Sequence, residues 1–299
     1  TLERSRQAAP LVSSFVESMD RLQLLPNAFL QGFLSIVASS SVERETYMLG
    51  LSGVGSSLLY FPLAFLVKTP VALLLLFFVG AALMCAKWRC LMRYEYICLG
   101  TIGLFFAAAV NSKLNIGVRH ILVIYPFVIM IALGALQKLC LKGYKRWAMV
   151  FVALTLLEFG LSYPHPLSFF NAAVGGPSSG RHYLADSNLD WGQDLPALKA
   201  WMDENQVESV NLSYFGSAEP GYYKIKAHYM PGMRVDGLDK PLTPAKLPGW
   251  LALSATNLLV EEYTDGFYAS LKNRKPDHIL NHSIYLYWVE KPWWPQHGE

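Results

Sequence analysis

The sequence predicts a membrane α-helical bundle followed by a small soluble α/β domain, and three observations lead there. Hydrophobic residues make up 53% of the 299 and charged residues only 16%, a balance too apolar for an ordinary soluble enzyme. Charge is unevenly divided: residues 1–162 carry 14 Lys and Arg against 7 Asp and Glu, the rest 11 against 15, giving +7 and −4. Finally, the long uncharged stretches all lie in the first part, and strand-like runs alternating with helical ones all lie in the second.

Residues 1–55 read as an outer-surface loop with amphipathic segments. The chain starts at Thr1, and "TLERSRQ" has neither the apolar core nor the cleavage site of a signal peptide, so it reads as a fragment lacking its own N-terminus. Residues 56–163 form the transmembrane region. Four stretches there approach the length needed to span about 30 Å of hydrocarbon. They start at Pro70, Tyr96, Ile121 and Trp147. A fifth, "GVGSSLLYFPLAFLV", is broken by Gly, Ser and Pro62 and fits a kinked span or a surface helix equally, which makes four to five spans. The positive-inside bias puts the Lys87, Arg89, Arg93 loop and the Lys138, Lys142, Lys145, Arg146 loop in the cytoplasm. Lys68, "NSKLNIGVRH" and everything after Tyr163 then lie outside. Cys85, Cys90, Cys98 and Cys140 have no metal-ligand spacing and argue against a disulfide framework.

Residues 164–299 form the extracytoplasmic α/β domain. "HYLAD", "SVNLSYFG", "GWLALSA" and "SIYLYWVE" read as strands. "ALKAWMDEN", begun by Asp194 and Pro196, and "DGFYASLKN" read as helices, so the sheet should be small and largely parallel.

Charge at the outer surface needs a reason. Lys68 closes an apolar run and reads most simply as a snorkelling lysine. Arg119 and His120 precede a span on the side the positive-inside bias disfavours, and an anionic lipid headgroup would explain all three. Glu158 lies within the last span, where a carboxylate costs a few kcal/mol unless paired. It is a functional candidate, or a structural partner for one of the cations.

"YLADSNLDWGQDL", Tyr183 to Leu195, gathers Asp186, Asn188, Asp190, Trp191 and Asp194. As a calcium loop it would start at Asp186, but the glycine required at position six is Trp191 and the glutamate at twelve is Ala197. No metal site is predicted. Asp194 reads as a helix cap. Asp186, Asn188, Asp190 and Trp191 remain, and they suit either a structural loop docking the outer domain onto the bundle or direct contact with a glycan through the indole face and its polar rim.

"YFPLAFLVKTP", "LNIGVRHILVIYPF", "YPHPLSFFNAAVGGP", "YLADSNLDWGQDL", "LSYFGSAEPGYY" and "SIYLYWVE" together resemble the C-terminal half of bacterial membrane glycosyltransferases of the GT-C superfamily, near glycosyltransferase family 39. The resemblance covers nearly all of the chain. It implies an incomplete GT-C fold in a bacterial inner membrane and a mannosyltransferase-like hexosyltransferase. The donor would be a polyprenyl-phosphate-linked sugar, the acceptor a glycan, lipid or protein outside the cytoplasm. It implies lipid-phosphate binding by Lys68 and Arg119, with His120 as a further candidate. The family's acidic first outer loop has no counterpart in these residues, so the catalytic base is unknown, and a divalent cation would enter only through that missing part. No nucleotide-binding glycine signature is present, and no nucleic-acid partner is expected. Two other classes compete: a non-catalytic, membrane-anchored glycan-binding module, and a transporter, which the lack of two related halves disfavours.

Overall fold

A computed structural model describes residues 10–40, 45–54, 58–87, 89, 91–112, 115, 117–235, 238–239 and 242–293. Cys90 and part of "NSKLNIGVRH" lie outside the described residues. Two helices open the chain, α1 (Pro10–Arg21) and α2 (Asn27–Ser40), and meet through Val16, Leu30 and Leu34. A hairpin follows, β1 (Glu45–Met48) against β2 (Leu51–Val54). It docks far along the chain: Tyr47 Oη donates to Arg181 O at 2.7 Å, Leu49 N to Tyr183 O at 2.9 Å and Ser52 Oγ to Leu259 O at 3.0 Å.

The helical layer comprises α3 (Tyr60–Lys68), α4 (Val71–Ala86), α5 (Arg93–Val110), α6 (Tyr125–Leu141) and α7 (Lys145–Gly160), with a 3-10 segment Val118–Ile124 running straight into α6. Pro70 separates α3 from α4. It disfavours helical backbone at the residue before it, and Thr69 is accordingly extended, with φ −111° and ψ 134°. The chain turns by 118° there. Gly80 lets α4 press against α6, since a Cβ at that position would meet Ile131 O at 2.6 Å.

The expectation of four to five spans is not supported. Among the described residues two helical stretches are long and apolar enough to cross a membrane, Arg93–Val110 and Val118–Leu141, or three if the bent pair α3 and α4 counts as one. Sixteen residues in each of α4 and α7 give about 24 Å, short of the hydrocarbon thickness. Nine in α3 give about 13 Å, so the described part of the interrupted fifth stretch could cross only together with α4, as a bent span.

Both basic loops lie at one end of this layer. Thr69 Oγ1 and Tyr125 Oη hydrogen-bond at 2.8 Å, and Val71 N donates to Glu158 Oε2 at 2.8 Å. The starts of α4 and α6 and the end of α7 therefore sit together, and chain direction carries Lys87 and the Lys138 to Arg146 turn to the opposite end.

The second region is a five-stranded sheet in the order β4 (Ala227–Tyr229), β3 (Val210–Ser213), β7 (Gly249–Ser254), β9 (Ile284–Val289), β8 (His278–Leu280), with a separate short ribbon of β5 (Arg234–Val235) and β6 (Leu238–Asp239). Helix α8 (Leu195–Glu204) covers it with Leu198, Trp201 and Met202, and α9 (Ala255–Leu259) follows β7 directly. The sheet is mixed rather than largely parallel: β3 is parallel to β4 and β7, whereas β9 is antiparallel to β7 and β8. "HYLAD" is not a strand. Its first residues close a 3-10 segment, Pro177–His182, and only Leu184 bridges to Met48, because Leu184 N turns back to Gly180 O. "DGFYASLKN" contains only a 3-10 turn, Ala269–Leu271.

Candidate functional site

The loop from Asp186 to Asp194 lies at the carboxyl ends of the parallel strands β3 and β7. Tyr214, just past β3, donates its hydroxyl to Gly192 O at 2.6 Å, and Thr256 N, just past β7, donates to Asp190 Oδ2 at 3.3 Å. Gly192 is required there: its φ is +74°, and a Cβ would strike the Tyr214 hydroxyl and Phe215 O. A ligand crevice at the carboxyl end of parallel strands is the usual arrangement of open α/β sheets. Here the loop reaches that position without the "HYLAD" strand.

The other side of the loop is the helical layer. Asn188 is fully buried and joins three segments. Its Nδ2 donates to Tyr60 Oη at 2.8 Å, its Oδ1 accepts from Val118 N at 2.9 Å, and its main-chain oxygen accepts from Lys68 Nζ at 2.6 Å. Gly117, with φ +122°, makes the approach feasible, since a Cβ there would collide with Ser187 Oγ.

Lys68 gives a second bond to Leu167 O at 2.8 Å and lies 4.5 Å from the Phe170 ring centre. Its donors are thus engaged within the protein, which a snorkelling lysine would not show. Arg119 stacks on Trp191 with its guanidinium carbon 4.2 Å from the ring centre. It forms no hydrogen bond or ion pair to any described residue, so the edge of the fork is open. His120 is exposed beside Phe61, ring centres 6.3 Å apart.

Glu158 has no cation as partner among the described residues. Its two oxygens accept main-chain N–H groups, Val71 at 2.8 Å and Ala172 at 2.5 Å. Val71 opens α4 and Ala172 opens a 3-10 turn, Ala172–Val174, so the carboxylate satisfies orphan amides where the helix dipole also favours a negative charge.

Asp186, Asn188 and Asp190, which a calcium loop would need to converge, point apart. Asp186, at φ +55°, hydrogen-bonds Ser187 N at 2.5 Å and the Tyr263 hydroxyl at 3.3 Å, Asn188 faces α3, and Asp190 faces the sheet. Asp190 is fully buried, with no cation paired to it among the described residues. Burial pushes its carboxyl up to about 7, against the lowering effect of the Gly192 and Thr256 amides and the Ser254 hydroxyl. Asp194 takes the N-cap position of α8, yet its side chain does not cap. It accepts instead from Asn281 Nδ2 at 3.0 Å and Ser283 Oγ at 2.5 Å, tying the loop to the start of β9.

Sequence reasoning missed the residues that brace this arrangement. Asn171 donates to Leu66 O at 2.6 Å and Thr69 O at 2.8 Å, closing the carbonyls at the end of α3. Ser168 Oγ donates to Leu189 O at 3.2 Å. A lone amide in the aromatic run "SFFNAAV" was the available signal for Asn171. No family model, curated protein or solved structure matches this chain.

Proposed function

We propose that the chain is part of a membrane glycosyltransferase of the GT-C type that takes sugar from a polyprenyl-phosphate carrier on the extracytoplasmic side. One observation carries the reading: Arg119, a cation on the side that charge bias disfavours, is held by stacking on Trp191 and keeps its guanidinium edge free. Stacking occupies the face and leaves the coplanar N–H donors for a bidentate anion. Lys68 is bonded to the same loop three residues away, at Asn188. The broad exposed apolar surface of α7 and the shared position of the two basic loops at the opposite end support a bilayer with cytoplasm on that far side.

In the reaction, the bond from the anomeric carbon to phosphate oxygen breaks as the acceptor oxygen attacks that carbon, and the polyprenyl phosphate leaves. Negative charge grows on the phosphate, and donors fixed in advance stabilise it more than the ground state. Arg119 supplies the fork and His120 a further donor. Lys68, whose donors go to Leu167 O and Asn188 O, holds the loop that carries Trp191 under Arg119. No residue of this chain is assigned to take the acceptor proton.

The test is polyprenyl phosphate binding to the chain in lipid nanodiscs. Charge-assisted hydrogen bonds contribute about 1.5–3 kcal/mol, so Arg119→Ala should weaken binding up to about a hundredfold. Arg119→Lys, which keeps charge but loses the fork, should fall between the two. Unchanged affinity in Arg119→Ala, with normal folding, overturns the reading.

A further inference from the structure

At the amino ends of β3 and β7, away from the Asp186 to Asp194 loop, a cleft of about 330 Å³ is lined by Glu208, Ser209, Asn211, Lys246, Trp250 and Trp288. Six residues of β7 separate the two places by about 17 Å. Trp250 and Trp288 are register partners on adjacent strands, with ring centres 5.3 Å apart at a steep tilt. Trp250 is sandwiched further by Trp201 and His278, but Trp288 stays 39% exposed. It is the outward exception in a strand whose other five residues are buried.

The cleft is built rather than frayed. Asn211 is 1% exposed and clasps the far wall three times, donating to Lys246 O and Trp250 O at 3.0 and 3.2 Å and accepting from Lys246 N at 2.8 Å. Gly249 permits that closeness, since a Cβ would meet Lys246 O at 2.5 Å. Over this rigid floor the charged tips are uncommitted. Glu208 forms no ion pair with a described residue, and Lys246 Nζ reaches only Ser209 Oγ, at 3.4 Å.

We propose that this cleft is a second binding site and that its ligand is a neutral glycan. An exposed indole offers a flat apolar face for the C–H side of a pyranose ring, and an ammonium, a carboxylate and a hydroxyl at its border match the donors and acceptors of ring hydroxyls. The one cation and one anion of the lining cancel, which disfavours nucleotides and polyphosphates and suits an uncharged polyol. The volume is at the lower end of small-ligand clefts, about 300–1,000 Å³, enough for a short piece of a chain that continues into solvent. The cleft's lining chemistry is independent of whether the outer loop handles a lipid phosphate.

The experiment is saturation-transfer NMR on the nanodisc-embedded chain, with soluble oligomers of N-acetylglucosamine, mannose and glucose as separate probes. At least one should bind saturably. Trp288→Ala should weaken that binding about tenfold or more, the equivalent of 1.4 kcal/mol. Glu208→Gln and Lys246→Met, both at exposed positions and harmless to folding, should weaken it less, and Trp191→Ala in the other loop should leave it unchanged. The proposal fails if none of the three sugars binds at millimolar concentration, if binding survives Trp288→Ala and both milder variants, if Trp191→Ala abolishes it, or if a proline-rich peptide binds the cleft and no sugar does.

Discussion

Helices α7 and α8 are built from similar apolar stock and use it in opposite ways. Of the sixteen residues of α7 only Ala148 is buried, while Trp147, Leu154, Leu156, Leu157 and Phe159 stand exposed. In ten residues α8 buries Leu195, Leu198, Trp201 and Met202 against the sheet and turns Ala200 and Asp203 to solvent. Water explains α8, because burial of its apolar stripe is what holds it to the sheet. Burial within the chain does not account for α7, whose exposed apolar side chains make the kind of surface that marks a membrane or protein interaction face. The difference teaches that the two regions handle apolar surface in different ways, and the Asp186 to Asp194 loop is bonded to both.

The largest effect should come from placing charge on each helix. Leu154→Arg puts a guanidinium on the exposed face of α7, which costs about 3 kcal/mol in hydrocarbon, whereas Ala200→Arg on α8 should stay within about 0.5 kcal/mol. Membrane insertion of the two variants measures this, and equal tolerance would break the contrast between the regions.

Two carboxylates that each accept a pair of main-chain amides sharpen it next. Glu158→Gln keeps one acceptor and turns a donor toward Val71 or Ala172, which should destabilise the start of α4 by about 2 kcal/mol, read as earlier thermal unfolding. Asp190 should give a smaller, pH-linked effect. Its folded carboxyl is raised from 3.8 to about 7, so between those values the native state holds a proton that the unfolded chain has released. Its stabilising share is complete below 3.8 and is lost as pH rises through about 7, a fall on the order of 1 kcal/mol between pH 6 and pH 8. Asp190→Asn should flatten that part of the stability profile, and an unchanged slope would remove Asp190 as its source.

Much of this was legible in the sequence, for reasons that differ by region. Strands β3, β7 and β9 stand where "SVNLSYFG", "GWLALSA" and "SIYLYWVE" placed them, because β-branched and aromatic runs bounded by turn residues are a local signal. The span count was overestimated because hydropathy registers apolar residues and not helix ends, and Pro70 and Gly160 stop α4 and α7 at sixteen residues each. Arg119 and Lys68 drew notice through charge in an unusual place. The bonds that bring them to one loop did not, since the threefold reach of Asn188 and the clasp of Asn171 on α3 join residues 70 to 128 positions apart. Asp194 shows the same limit in reverse: its position at the head of a helix was readable, but its oxygens answer Asn281 and Ser283 in the distant turn between β8 and β9.

The central claim is that the sheet domain's loop holds Arg119 ready for a lipid phosphate, and a double-mutant cycle tests it most directly. Polyprenyl phosphate affinity would be measured for the parent chain, Arg119→Ala, Trp191→Ala and the double variant in the same nanodiscs. If the indole positions the guanidinium, the two substitutions are coupled by about 1 kcal/mol or more, and the double variant binds little worse than Arg119→Ala alone. Additivity within about 0.3 kcal/mol would mean that Trp191 and Arg119 act separately, and would contradict the account.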